Sequence, residues 1–257
     1  MSAILLKDEL AKYNFYHAIE VEPGIFTDGI LAFKRSQDAA MAGLQSLEIS
    51  GKKVLDIGCR DGLFSFAAEK AGAREIIGID NDLSRGAVDV LIPHFKSRVQ
   101  MHQLNVMDLL PDSFGHFDVV ICAGLLYHLR YPVYALKRIR DVMKNDSVLF
   151  IETAVFTLYP NIPLIYCPVG DESPYEPTSV TFFNIRGLTS TLRSLGMRVI
   201  SHKLLDGGRR TVDRAILTCT ADSSLTEPSV DRYWEKTHEN HSSGNPEHRV
   251  SGRATKT

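Results

Sequence analysis

Residues 54–62, VLDIGCRDG, set two glycines and two carboxylates into a loop that follows an apolar run. Gly58 and Gly62 let the backbone turn tightly and leave room for a ligand against the N-terminus of the next helix. Asp56 is suited either to orienting this loop or to accepting a ligand ammonium, and Cys59 lies within the same turn. Asp80 closes a second apolar run, in GID, where a carboxylate can take both hydroxyls of a ribose. Asp108 follows a third run, in NVMD, where with Met107 it would meet the edge of an adenine. Taken singly, each of these fits a plain strand–turn–helix with an incidental acid. Their combination points to a nucleoside site.

Two cofactor classes compete for such a site. A dinucleotide needs Gly-x-Gly-x-x-Gly, whose second glycine lets the pyrophosphate approach the backbone. Arg60 stands at that position, and a bulky side chain there argues against a pyrophosphate. S-adenosylmethionine has no pyrophosphate and needs only nearby backbone and a carboxylate for its amino-acid part. The residues favour S-adenosylmethionine and methyl transfer. No metal is expected, because Cys59, Cys122, Cys167 and Cys219 lie far apart without CxxC spacing.

The elements that must position these groups read as alternating strands and helices. Strands are expected at Lys53–Ile57, Glu75–Asp80, 98–104, 117–122, 147–152, 198–204 and 213–219. Several are nearly continuous apolar runs, as in strands buried on both faces. Helices are expected at 62–71, stopping at Gly72, at 132–144, and at 185–195 between an Asn184 N-cap and Gly196. The pattern predicts an α/β, doubly wound, mainly parallel Rossmann-like seven-stranded sheet. It should end in an antiparallel hairpin turned by Asp206-Gly207-Gly208. Residues 1–48 form an expected N-terminal helical arm and 49–222 the cofactor-binding domain. The proline- and tyrosine-rich insertion 154–184 is expected to act as a lid at the carboxyl edge of the sheet. Residues 223–257 are sparse in apolar groups and are expected to form a disordered tail, with Tyr233-Trp234 as a docking segment within it.

Hydrophobic residues make up 44% and charged residues 23% of the 257, an ordinary globular balance, and the net charge of −2 argues against a strongly basic nucleic-acid coat. The longest apolar run, 119–127, is about half of a membrane span, and the apolar start is too short for a signal peptide. A cytoplasmic protein with no membrane partner is expected, of undetermined oligomeric state.

The strand at 54–59, GID at 78–80, Asp108 and FDVVICAGLLYHL together resemble a class I S-adenosylmethionine-dependent methyltransferase. More narrowly, FDVVICAGLLYHLRYPVYALKRIRDVMKNDSVLFIET resembles the tRNA wobble-uridine carboxymethyltransferase family and its short methyltransferase relatives. The runs Gly124-Leu125-Leu126-Tyr127-His128 and Arg214-Ala215-Ile216-Leu217 carry that likeness. The resemblance implies that Gly58 lies against the methionine part, Asp80 holds the ribose, and Met107-Asp108 lie beside the adenine. Ala123 and Tyr127 would sit by the sulfonium. It also implies that Tyr127 and Arg214, with a lysine from the arm, would clamp the extra carboxylate of carboxy-S-adenosyl-L-methionine. The lysine has no match in a shared motif; Lys12 is only near in register, which favours ordinary S-adenosylmethionine.

Methyl transfer is then an in-line displacement. For a hydroxyl acceptor a base would assist, with His128 the first candidate, Tyr127 as orienting group and His17 a second base; a packed or hydrogen-bonded His128 is the plain alternative. The acceptor is expected to be a small molecule. A tRNA is the alternative, since basic residues gather at 130–144 (Arg130, Lys137, Arg138, Arg140, Lys144) and 186–214, where they could track phosphates if the two segments share a face. A cofactor-binding module without catalysis is the third reading.

Overall fold

The computed structural model describes residues 3–225, so the Tyr233-Trp234 segment and the tail from residue 226 onward lie outside the described residues. In chain order the elements are α1 (Ala3–Leu10), β1 (Glu20–Glu22), β2 (Ile25–Phe26), α2 (Lys34–Gln45), β3 (Lys53–Ile57), α3 (Leu63–Lys70) and β4 (Glu75–Asp80). Next come a π-helical turn (Ala87–Leu91) running into α4 (Ile92–Phe95), then β5 (Gln100–Gln103), α5 (Pro111–Phe114), β6 (Phe117–Ala123), α6 (Pro132–Asp141) and β7 (Met143–Phe156). The chain continues through β8 (Ile165–Tyr166), β9 (Phe182–Phe183), α7 (Ile185–Ser194), β10 (Met197–Leu204) and β11 (Val212–Ala221).

The main path of the sheet runs β10-β11-β7-β6-β3-β4-β5. The pairs β3/β4, β3/β6, β4/β5 and β6/β7 are parallel, whereas β11 is antiparallel to both β7 and β10. This is the doubly wound Rossmann-like sheet with a terminal hairpin that the alternation predicts. Side chains along β3 alternate between two cores. Leu55 and Ile57 join Leu136 and Ile139 of α6 and Leu188 and Leu192 of α7. Val54 joins Ala40 and Leu44 of α2 and Phe64 and Ala68 of α3 on the opposite face. Each fully buried side chain of this kind contributes roughly 1.5–3 kcal/mol. Slipping the register of β3 by one residue would exchange the two sets, so the position of the loop after it is fixed from both faces.

The hairpin turn has the expected left-handed glycines, Gly207 at φ 64° and Gly208 at φ 75°. Buried Asp213 holds it by accepting the amides of Asp206 at 3.0 Å, Gly208 at 2.8 Å and Arg214 at 2.7 Å. The arm departs from the helical expectation: between α1 and α2 it folds into the β1–β2 hairpin. Its apolar residues Leu6, Leu10, Phe15, Ile19, Val21 and Ile25 pack with Ala87, Val90 and Leu91. The lid is not an open loop. β9 pairs with β7 through Val155 and Phe183, β8 pairs with β9, and β7 itself reaches Phe156. Asn184, expected only as an N-cap, does more than cap α7. Its Oδ1 accepts from Gly187 at 2.7 Å and Leu164 at 3.2 Å, while its Nδ2 donates to the carbonyls of Tyr159 and Ile162 at 2.9 and 2.7 Å. Among the described residues no helix is long and apolar enough to cross a membrane.

Candidate cofactor and acceptor site

The strand order reverses between β3 and β6, and the crevice beyond their carboxyl ends is where open α/β sheets take ligands. A cavity of about 600 Å³ opens there, bordered by the loops after β3 and β6, by the arm, and by the lid. At one end lie Gly58 and Asp80. Gly58 sits at φ 75°, and its amide and that of Cys59 donate to the carbonyl of Ile79, which binds the loop to β4. The Asp80 carboxylate accepts Arg60 N at 2.9 Å through Oδ2 and Asp82 N at 2.8 Å through Oδ1. One backbone amide on each oxygen fixes the carboxylate and leaves further lone pairs for hydroxyls. Arg60 takes up the left-handed conformation a glycine would, at φ 46°, and its guanidinium pairs with Asp82. Its side chain thus turns onto the loop after β4.

The remaining residues of the loop face inward. Asp56 is 1% exposed and accepts Ser65 Oγ at 2.6 Å; burial pushes its carboxyl up to about 6, with the Ser65 bond opposing. Asp56 therefore orients the loop against α3. Cys59 is buried, its thiol raised by burial, and Gly62 starts α3 at φ 85°. Met107 is half-buried against the core and Asp108 exposed, and neither borders the cavity. A small adjoining cavity beside Gly58 and Asp80 is instead bordered by Leu104, Asn105, Val106 and Leu125. Beside the end of β5, the residues that border this small cavity thus come just before the expected Met107 and Asp108.

At the other end of the cavity, Arg214 and Glu152 stand diagonally across the β7/β11 pair, whose register puts Ile216 opposite Glu152. Arg214 Nε donates to Glu152 Oε1 at 2.6 Å and its Nη2 to Oε2, a two-pronged pair with side chains 13% and 3% exposed. Burial works against the arginine's charge, and the Glu152 carboxylate overcomes it, holding the pKa well above the ordinary value. The guanidinium lies 4.7 Å from the Tyr127 ring centre and 5.8 Å from that of Tyr175. Burial raises the Tyr127 phenol, and pushes that of Tyr16 up to about 12, against the pull of Arg214. Neither phenol supplies a phenolate near neutral pH. Ala123, Gly124 and Leu125 form the floor. His128 borders the cavity with both ring nitrogens toward the lid: Nδ1 is 3.1 Å from the Thr178 carbonyl and Nε2 3.5 Å from Glu176 Oε1. Lys12 is far from this cluster in role; it pairs with Glu9 and is 59% exposed.

The arm supplies a wall no motif announced. Tyr16 and Phe33 stack at 5.5 Å between ring centres, and both border the cavity with His17 and Gln37. Gln37 Nε2 is buried and has no protein partner. The arm is held by Asp61, whose Oδ2 accepts Tyr16 N at 2.6 Å and His17 N at 2.8 Å and lies 3.2 Å from His17 Nδ1. Burial would raise this carboxyl, but the His17 contacts outweigh it and keep it below the usual range. Two signals for these residues were present in the sequence. Glu152 interrupts an apolar strand, and a second acid in the RDG turn has to find buried donors. The aromatic wall had none, because residues 16 and 33 meet only after the arm folds back.

The donor set fits S-adenosylmethionine. Asp80 offers a fixed carboxylate to vicinal hydroxyls, and Ile79, Leu104, Val106 and Leu125 make an apolar slot beside it with Asn105 at the rim. A Cβ at Gly58 would come within 3.4 Å of Leu125 and fill the space between. Among the described residues no lysine borders the cavity, so a carboxylated cofactor would lack the third member of its clamp.

Residues 33–202 match a family model described as a methyltransferase domain. Over 171 residues the chain is 28% identical to a tRNA U34 carboxymethyltransferase of Campylobacter fetus subsp. fetus, covering 58% of this chain and 60% of that protein. Over 107 residues it is 33% identical to one of Campylobacter hominis, covering 42% and 38%. The alignments thus span less than two thirds of those relatives' own length. Among solved structures, the N-terminal domain of EvdMO1 with SAH bound aligns with a TM-score of 0.64 at 20% identity, covering 86% of this chain and 98% of that one. The 1,6-didemethyltoxoflavin-N1-methyltransferase of Burkholderia thailandensis, with bound 1,6-didemethyltoxoflavin and S-adenosylhomocysteine, aligns with a TM-score of 0.59 at 18% identity, covering 86% and 88%. At these identities the likeness concerns the fold.

Proposed function

The chain belongs to the methyltransferase-domain family, and from that premise we propose that it transfers the methyl group of S-adenosylmethionine to an oxygen of a small-molecule acceptor. When bound, the cofactor supplies a methyl group on a sulfonium; transfer breaks the carbon–sulfur bond as the carbon–oxygen bond forms, and S-adenosylhomocysteine leaves. Gly58, Asp80 and the slot beside Leu104 and Asn105 would hold it. Tyr16, Phe33 and Gln37 of the arm, with Glu152, Arg214 and Thr178, would enclose and orient the acceptor. Holding two partners in line is worth up to about 7–11 kcal/mol, against roughly 3–5 kcal/mol for a base giving 10²–10⁴-fold. Orientation therefore suffices as the main source of rate. His128, engaged by Thr178 and Glu176, then serves chiefly to fasten the lid.

The observation that carries a small acceptor is the acceptor end, bordered by Tyr16, Phe33 and Gln37 of the arm and by Thr178 of the lid. Several residues of the basic segments, moreover, have partners within the chain. Arg130 donates to the carbonyls of Pro168 and Val180, Lys137 pairs with Asp141 and Lys144 with Asp118. Arg198 pairs with Asp222 and Arg210 with Asp206. The second reading, modification of a tRNA wobble uridine, is favoured by the relatives' names and by the family-like runs that carry Tyr127 and Arg214. Incubation with methyl-labelled S-adenosylmethionine, a panel of hydroxylated small molecules and bulk tRNA separates the two. Label in a small molecule supports the proposal. Label in tRNA, or a carboxylated cofactor retained in native mass spectrometry, overturns it in favour of the second reading.

A further inference from the structure

Asp61 lies between Arg60, whose amide holds the Asp80 carboxylate, and Gly62, which begins α3. Its side chain nevertheless points away from that end, fully buried, toward the arm. A single oxygen gathers the amides of two consecutive residues, Tyr16 and His17, and both of these border the acceptor end of the cavity. We infer that Asp61 is a positioning residue that ties the cofactor loop to the acceptor wall, so that a ligand settling on Gly58 and Asp80 also sets Tyr16 and His17. The inference rests on the cofactor reading above and goes beyond it.

The geometry supports a linkage rather than a general structural bond. The arm has independent anchors in its own apolar cluster with Ala87, Val90 and Leu91, and in Thr27, whose Oγ1 donates to the His17 carbonyl at 2.5 Å and accepts Ile19 N at 2.8 Å. Loss of the Asp61 charge thus leaves a folded arm whose tip has lost its tie to the loop. Around the Asp61 oxygen the two amides and the His17 ring are all contributed by the arm, so loop movement passes to those residues first. Coupling of this kind is reciprocal: what the cofactor does to the arm, the arm does to cofactor affinity.

Hydrogen exchange on the full chain, with S-adenosylhomocysteine as the probe, tests this. In the wild type, saturating S-adenosylhomocysteine should slow exchange in the cofactor loop and also at the amides of Tyr16 and His17. In Asp61→Ala, which removes the accepting oxygen, the loop should still gain protection. The two arm amides should exchange faster by on the order of tenfold or more, the worth of one charge-assisted bond, and stop responding to the probe. Thr27→Val loosens the arm from within, and there the response to the probe should survive. A wild-type loop that responds while the arm does not would overturn the inference, as would an Asp61→Ala arm that still gains protection. Failure of the wild type to bind S-adenosylhomocysteine at all would bring down the cofactor reading itself, and the inference with it.

Discussion

The cofactor end and the acceptor end of this cavity are built by different means. At the cofactor end two neighbouring strands, β3 and β4, run parallel with Ile57 opposite Ile79, and the loops they release are locked by backbone amides. On the proposed reading Asp80 would face the ligand there, its carboxylate fixed by Arg60 N and Asp82 N. At the acceptor end, Tyr16, Phe33, Gln37, Glu152, Thr178 and Arg214 come from several segments, and side chains hold one another: Tyr16 stacks on Phe33 and Arg214 pairs with Glu152. The first end should therefore lose function at one residue and tolerate change elsewhere. The second should lose stability wherever one member of a pair is removed.

The largest effect is expected at Asp80. Asp80→Ala removes a carboxylate that would serve two hydroxyls, and hydrogen bonds to a charged group are worth about 1.5–3 kcal/mol each. Affinity for S-adenosylhomocysteine should fall by about 10²-fold or more by calorimetry. The melting temperature should fall only modestly, because water can replace the lost acceptor at exposed Asp82 N and only Arg60 N is part-buried. Unchanged affinity would remove Asp80 from the cofactor site and break the contrast at its strongest point.

Arg214→Ala should show the opposite pattern. It strands Glu152, 3% exposed, without its cation, and removal of one partner from a buried pair costs about 3–5 kcal/mol. Chemical denaturation should show that loss, while S-adenosylhomocysteine affinity changes much less than in Asp80→Ala. The double variant Arg214→Met with Glu152→Gln should recover most of the stability. If it recovers none, the pair is not what the single variant disturbs.

The two ends also differ in how far the sequence disclosed them. Gly58, Gly62 and Asp80 were legible as turn and strand-end residues because a tight turn after a buried strand leaves few residue types that can serve, and the strand limits at Lys53–Ile57 and Glu75–Asp80 follow from nearly continuous apolar runs. Asn184 was readable as a cap, since capping depends on neighbours three residues away, but its bonds to Tyr159 and Ile162 depend on how the lid returns. The β1–β2 hairpin and the Tyr16–Phe33 stack were not legible. Short strands leave little periodicity, and contacts between distant segments are decided by tertiary packing. Arg214 became visible only through family resemblance; its partner Glu152 could have been suspected from a charge closing an apolar strand.

Asp56 sharpens the contrast through pH. Its carboxyl is raised to about 6 by burial, against 3.8 in an unfolded chain. Between about pH 4 and 6 the folded chain holds a proton that the unfolded chain has released, so this group's contribution is present below pH 4 and is lost as pH rises through 6. Asp56→Asn keeps an oxygen for Ser65 and removes the penalty. Relative to wild type it should gain roughly 2–3 kcal/mol by pH 8 and nothing at pH 4. Parallel stability curves for the two proteins across that range would show that Asp56 ionises freely in the fold.

The smallest effect is expected at Arg60, which stands where a dinucleotide motif has its second glycine. Arg60 holds a left-handed conformation at φ 46°, which costs a side-chain-bearing residue about 1–2 kcal/mol and a glycine almost nothing. Against this stand its pair with Asp82, whose side chains are 37% and 77% exposed and which is worth about 0–1 kcal/mol, and the extra entropy a glycine loses on folding, about 0.5–1 kcal/mol. The terms nearly cancel, so Arg60→Gly should change stability by less than about 1 kcal/mol. Affinity for S-adenosylhomocysteine should stay within about threefold, under 1 kcal/mol, because what Arg60 gives to Asp80 is its backbone amide, and glycine keeps that amide. A tenfold loss would mean that the guanidinium itself reaches the cofactor, and the cofactor end would then depend on side chains in the same way as the acceptor end.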